Sequence, residues 1–144
     1  KNGDKIINAS NCRAELEAAI SSCPITFRKG APAAIKKHIT NELTLHQWVD
    51  KVRVGNSRMT INFLKNKVGV CFQIGNVART HTDILKLNHL GNTGVIDVGV
   101  LVVPHVLESR LLGANYSSYE RLEKEIILFK NEIHTPLVIY GVSN

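Results

Sequence analysis

The hydrophobic pattern changes period several times along the chain. Between Ser10 and Ser22, apolar Leu16, Ala19 and Ile20 fall on one helical face and Pro24 lies just beyond, which predicts a first helix there. A second helix begins near Pro32, a residue favoured in a first turn, and Ile35, Ile39 and Leu43 recur every four residues as one apolar stripe. The period then drops to two. Arg58–Leu64 and Lys67–Ile74 are rich in β-formers and flank Lys65-Asn66, which predicts a hairpin with that pair as its loop. Val77–Leu90 returns to helical spacing, with Ile84, Leu85 and Leu87 as its apolar side and Gly91 as its end. Gly94–Val103 (GVIDVGVLVV) is nearly all apolar, the pattern of a strand buried on both faces in a parallel pair. Ser117 and Glu120 have capping-box spacing ahead of a helix to Asn131, and Pro136–Val142 is a last apolar strand.

The predicted order is α-α-β-β-α-β-α-β. Strands alternate with helices in the second half, so the expected class is α/β, a mixed β-sheet flanked by α-helices. No repeat, low-complexity tract or Gly/Ser-rich linker interrupts residues 1–144, which are read as a single domain.

In the predicted hairpin Leu64 faces Lys67 and Asn62 faces Gly69. Residues two apart share a face of a strand, so Asn62, Gly69, Cys71 and Gln73 lie on one side. Phe63, Val68, Val70 and Phe72 lie on the other, and their apolarity marks it as the core side. The polar set therefore points away from the main core, with open space expected at Gly69. Polar groups around a gap suit a metal or a phosphate; the same pattern also fits a half-exposed hairpin with ordinary polar residues.

Charge narrows the choice of partner. Lys and Arg number 18 against 12 Asp and Glu, a net charge of +6, which fits a polyanion and nucleic acid first of all. Lys36, Lys37 and His38 flank the stripe of the second helix, either as a solvated face or as phosphate contacts. No apolar run reaches the ~18 residues of a membrane span, and no signal-peptide pattern is present. Cys12, Cys23 and Cys71 lack metal-ligand spacing, and an odd count without a secretory signal points to free thiols in a reducing cytoplasm. The six histidines are scattered without HxxxH spacing, so no zinc site is expected. Trp48, after the second helix, is expected to pack rather than to stack on a base.

The hairpin and the segments C-terminal to it resemble the BglII/BstYI type of type II restriction endonucleases, within the PD-(D/E)XK nuclease superfamily. That family has an Asp on the first strand and a Glu-x-Gln nine residues later on the second. Ile61-Asn62-Phe63 and Cys71-Phe72-Gln73 fall at that spacing, and Gly75-Asn76 matches the polar pair after the second strand. The apolar strand ending at Val103, the SSYE segment at 117–120 and the final LVIYGV are also similar. The likeness runs from about residue 25 to the end. It implies a restriction-endonuclease fold, a homodimer around double-stranded DNA, and Mg²⁺-dependent phosphodiester cleavage. Position by position, Asn62 stands in place of the metal-binding Asp, Cys71 in place of Glu, and Gln73 where the usual Lys would be. Glu42 resembles an accessory acid, Asn76 a position that approaches the bases, and Asn115 and Ser117 lie in the counterpart of a base-reading loop.

The two departures change the chemistry. Mg²⁺ takes hard oxygen ligands, usually with a carboxylate among them. Asn62 offers a neutral carbonyl oxygen and Cys71 a soft sulfur, so the resemblance leads to a DNA-binding protein with a degraded cleavage centre. Two other readings remain open: an active Mg²⁺-dependent nuclease that uses Glu42 or another acid, and a non-catalytic interaction domain of a larger protein. Nucleophilic chemistry at Cys71, paired with His38, His46 or His81, is disfavoured because a half-buried strand cysteine is usually inert.

Overall fold

The structure is a computed structural model that describes residues 3–9, 11–113 and 115–143. Its elements are α1 (Gly3–Ala9), α2 (Cys12–Ser21), α3 (Pro32–Leu45), β1 (Val49–Arg53), β2 (Thr60–Lys65), β3 (Val68–Phe72), α4 (Val77–Asn92), β4 (Val98–Pro104), α5 (Val106–Leu112), α6 (Tyr119–Leu128) and β5 (Leu137–Val142). The five strands form one mixed sheet in the order β1-β2-β3-β4-β5. The first three are antiparallel neighbours, and β3, β4 and β5 run parallel.

One face of the sheet carries α1–α3. Ile7, Leu16, Ile35, Ile39 and Leu43 pack there against Phe63, Val70, Val100 and Val102. The other face carries α4 and α6, with Ile84, Leu87, Leu90 and Leu122 over Cys71, Leu101 and Val103. All seven residues of β4 are buried, as its unbroken apolar run requires of a strand covered on both faces. Trp48 is buried in the first of these cores.

Several boundaries differ from the sequence reading. The helix expected first is α2, which starts at Cys12; the expected start, Ser10, lies outside the described residues. Helices α1 and α5 were not anticipated, because seven residues are two turns and carry little periodic signal. Strand β1 was missed because this edge strand is mostly exposed and polar. Helix α4 runs through Gly91, and Gly94, at φ 78°, is the left-handed residue that follows its end. Leu85 is exposed rather than part of the buried side, which is made by Ile84, Leu87 and Leu90. The predicted capping box does not form. Ser118 caps α6 by accepting from Arg121 N, while the Ser117 hydroxyl bonds that of Thr80. Glu120 instead accepts from Val106 N at 2.7 Å, at the start of α5, and bonds His105 Nδ1. Helix α6 ends at Leu128 and β4 begins at Val98, both shorter than expected.

The hairpin turn is displaced by one residue. Asn66 and Lys67, at φ 48° and 62°, form it, and both left-handed conformations match the tight turn that suits the strand twist. Lys65 stays in β2, where it pairs with Val68 and its ammonium is held by Glu15. Leu64 therefore faces Gly69, not Lys67.

Candidate functional site

Continuing this register places Asn62 opposite Cys71 rather than opposite Gly69. The space at Gly69 is not open: a Cβ there would meet Ile96 and Ile61 at 3.0–3.1 Å. Ile61 packs on the α4 face and Phe63 on the other, so the alternation of β2 breaks at Asn62 between them. The β2–β3 pairing stops at Phe63, and Asn62 Oδ1 accepts the next amide, Phe72 N, at 2.8 Å. A side-chain oxygen thus replaces a ladder carbonyl where the strands part.

Cys71 is buried on the α4 face. Burial pushes its thiol far above the ordinary range and the negative charge of Asp83 adds to this, while Lys86, the Asn62 backbone and Lys36 pull weakly the other way. It is held as a neutral thiol. Gln73, also buried, donates through Nε2 to Asp83 Oδ2 at 2.7 Å, and Lys86 Nζ binds Asp83 Oδ1 at 3.1 Å. Asp83 and Lys86 were missed by the sequence reading. Their signal was an acid at a core position: Asp83 is buried and shares a helical stripe with Thr80, Leu87 and Leu90.

These residues do not offer the oxygen set that Mg²⁺ takes. The Asn62 oxygen has a backbone donor, both Asp83 oxygens have partners, and the Cys71 sulfur is protonated and soft. Among the described residues no group of three or more His, Cys, Asp and Glu side chains is placed to hold a metal ion. Glu42 is half-buried on α3 and makes no hydrogen bond or ion pair among the described residues.

A second group gathers at the start of α4. Asn76 caps this helix by accepting from Ala78 N, and its backbone bridges to Tyr116. Asn115, at φ 61°, gives its carbonyl to Val77 N, and Ser117 N donates to Gly75 O. Asn76, Asn115 and Ser117 are thus brought together, with Asn76 and Asn115 exposed and Ser117 buried. Beside them His81 and Arg121 both bind Glu125, and the Arg121 bond first, with that of His81, holds this carboxyl below its usual value against the effect of burial. Lys36 and Lys37 are exposed on α3.

Comparison with known proteins agrees with this architecture. The family model described as restriction endonuclease BglII/BglIII matches residues 1–142. A crystal structure of restriction endonuclease BglII complexed with a DNA 16-mer superposes with a TM-score of 0.86, at 14% identity, over 99% of this chain and 73% of that one. Free BglII gives a TM-score of 0.74 at 16% identity, over 99% of this chain and 75% of that one. Among curated protein sequences none matches.

Proposed function

From the premise that the chain belongs to the BglII/BglIII restriction endonuclease family, we propose that it binds double-stranded DNA through a hydrolytic centre that has lost its metal-dependent chemistry. The carrying observation is the pair Asn62 and Cys71, standing where the family pattern has two acids. One has its oxygen committed to Phe72 N and the other is a buried neutral thiol. The net charge of +6 supports a polyanion partner, and the BglII structure with a DNA 16-mer supports duplex DNA as that partner.

In this reading Asn76 and Asn115 approach base edges, with Ser117 fixing the loop beneath them, and Lys36 and Lys37 meet phosphates. Two copies enclose the duplex as a homodimer. Losing two acids from the phosphate-facing hairpin removes repulsion, so the centre retains binding while hydrolysis fails.

The deciding experiment combines two assays. Duplex binding across a salt series should fall steeply, by about 0.9 in log–log slope for each neutralised phosphate. Incubation with Mg²⁺ should leave a plasmid uncut. Binding that is absent even at low salt removes the DNA reading. Site-defined cleavage abolished by EDTA restores an active nuclease, and Glu42→Gln and Asp83→Asn then identify its acid.

A further inference from the structure

The hairpin centre carries a positive charge of its own where the family pattern calls for a metal ion. Lys86 projects from α4, its side chain only 17% exposed, beside the 8% exposed Asp83. Asp83 is also bonded by Gln73, which lies two residues beyond Cys71 on the same face. Gln73 fixes the carboxylate, the carboxylate orients the ammonium, and the charge of the ammonium acts on Cys71, one of the two substituted positions. We propose that Lys86 is the resident cation of this centre, taking a DNA phosphate there without a divalent metal.

Three observations carry this beyond a structural ion pair. First, an ammonium has three donors, and among the described residues only Asp83 takes one of them, at 3.1 Å, which leaves two for phosphate oxygens. Second, Lys86 is not sealed from solvent: part of its side chain is exposed, and the residue lines a groove of about 420 Å³ between α4 and the β1–β2 turn, bordered by Asn56 and Met59. Third, the two negative charges that the family pattern implies are absent. Two carboxylates at positions 62 and 71 would repel a phosphate unless a metal intervened. Here Asn62 and Cys71 are neutral and Asp83 is offset by Lys86. A lysine serves as a point charge for phosphate, which is the electrostatic part of what a metal supplies there. It supplies no activated water, so binding and hydrolysis separate.

The proposal rests on the DNA-binding reading, and the test separates the two. Duplex affinity is measured by fluorescence anisotropy in EDTA and in Mg²⁺ at equal ionic strength. The parent is expected to bind equally in both; binding that needs Mg²⁺ overturns the resident cation and leaves the DNA reading standing. A parent that binds in neither buffer ends both. In EDTA, Lys86→Met should weaken binding by about tenfold and reduce the log–log salt slope by about one. Because that change also bares Asp83, the double variant Asp83→Asn/Lys86→Met is measured beside it. It should stay weak; recovery of parental affinity would assign the loss to Asp83 and overturn the proposal. Asp83→Asn alone, which releases the ammonium, should tighten binding, and unchanged or weaker binding in this folded variant counts against the role of Lys86 even if Lys86→Met fails to fold.

Discussion

Glu15 and Lys65 lie fifty positions apart in sequence and are joined through both carboxylate oxygens, at 2.7 and 2.9 Å. Trp48 Nε1 donates to the same carboxylate at 2.7 Å, and the ammonium also reaches the carbonyl of His46. One half-buried acid on α2 thus fastens the hairpin, the end of α3 and the only tryptophan of the chain. Glu15→Ala should cost about 1–3 kcal/mol in urea unfolding, because it leaves Trp48 Nε1 without its acceptor and Lys65 with the His46 carbonyl alone. Partial burial works to raise the Glu15 carboxyl, but the bonds from Lys65 and Trp48 outweigh it and hold the group below its ordinary value. Its stabilisation is therefore present above the unfolded carboxylate pKa of about 4.3 and lost as pH falls through the lower folded value. Acid titration followed by Trp48 emission should show this loss, and Glu15→Gln should remove that step; an unchanged acid transition in the variant would reject the assignment.

Gly91 answers to close approach rather than to helix termination. A Cβ at this position would overlap Thr135 Oγ1 and lie 2.6 Å from Thr135 Cβ. Thr135 cannot simply rotate away, since its hydroxyl bonds Asn88 O and its amide bonds Asn88 Oδ1. Gly91→Ala should therefore destabilise by about 1–3 kcal/mol, although alanine is the better helix former. Adding Thr135→Ala should recover only part of this, because its Cβ remains. A thermal melt of Gly91→Ala at or above the parental midpoint would show that the α4–β5 connection yields freely.

The thiols should react in a set order. Cys12 and Cys71 are buried and Cys23 is half-buried. Burial also keeps Cys71 protonated, and the thiolate is the reactive form. In native conditions an aromatic disulfide reagent should modify Cys23 first, with Cys71 reacting only on unfolding. Peptide mapping that finds Cys71 labelled in the folded protein would mean that the α4 face opens readily.

How much of the molecule was legible in the sequence depends on how local each signal is. The stripe Ile35-Ile39-Leu43 and the apolar run of β4 were readable because burial of one or both faces imposes a period that neighbours in sequence share. The hairpin was recognisable, but its turn was not, because Lys65 is kept in the strand by Glu15, a partner fifty positions away. The supposed gap at Gly69 failed for the same reason: Ile96 fills it from a distant segment. Asp83 and Lys86 lie in a helix whose spacing marks only its apolar side, and their link to Gln73 needs the sheet packed against them. Spacing alone aligned Asn62 and Cys71, whereas the state of their donor atoms required the three-dimensional partners.

Restoring acids to the hairpin should recreate a metal site. Asn62→Asp keeps an oxygen for Phe72 N and should be nearly neutral without metal. Cys71→Glu is harsher: it drives a longer, charged side chain into a packed face beside Asp83. The double variant should thus be less stable than the parent in EDTA, by about 3 kcal/mol. The observed register sets positions 62 and 71 opposite one another, so two carboxylates there can share one cation. Mn²⁺ should then raise the melting temperature of the double variant, recovering about 2.7 kcal/mol at one hundred times the dissociation constant. The parent should show no such shift, and the two single variants together should show less than the double, since the acids act as one unit. DNA cleavage is not required for this outcome, because water positioning depends on other groups. A double variant that folds and melts at the same temperature in Mn²⁺ and EDTA would mean that positions 62 and 71 do not face a common ion. A double variant that fails to fold in either buffer, while both single variants fold, would count equally against it.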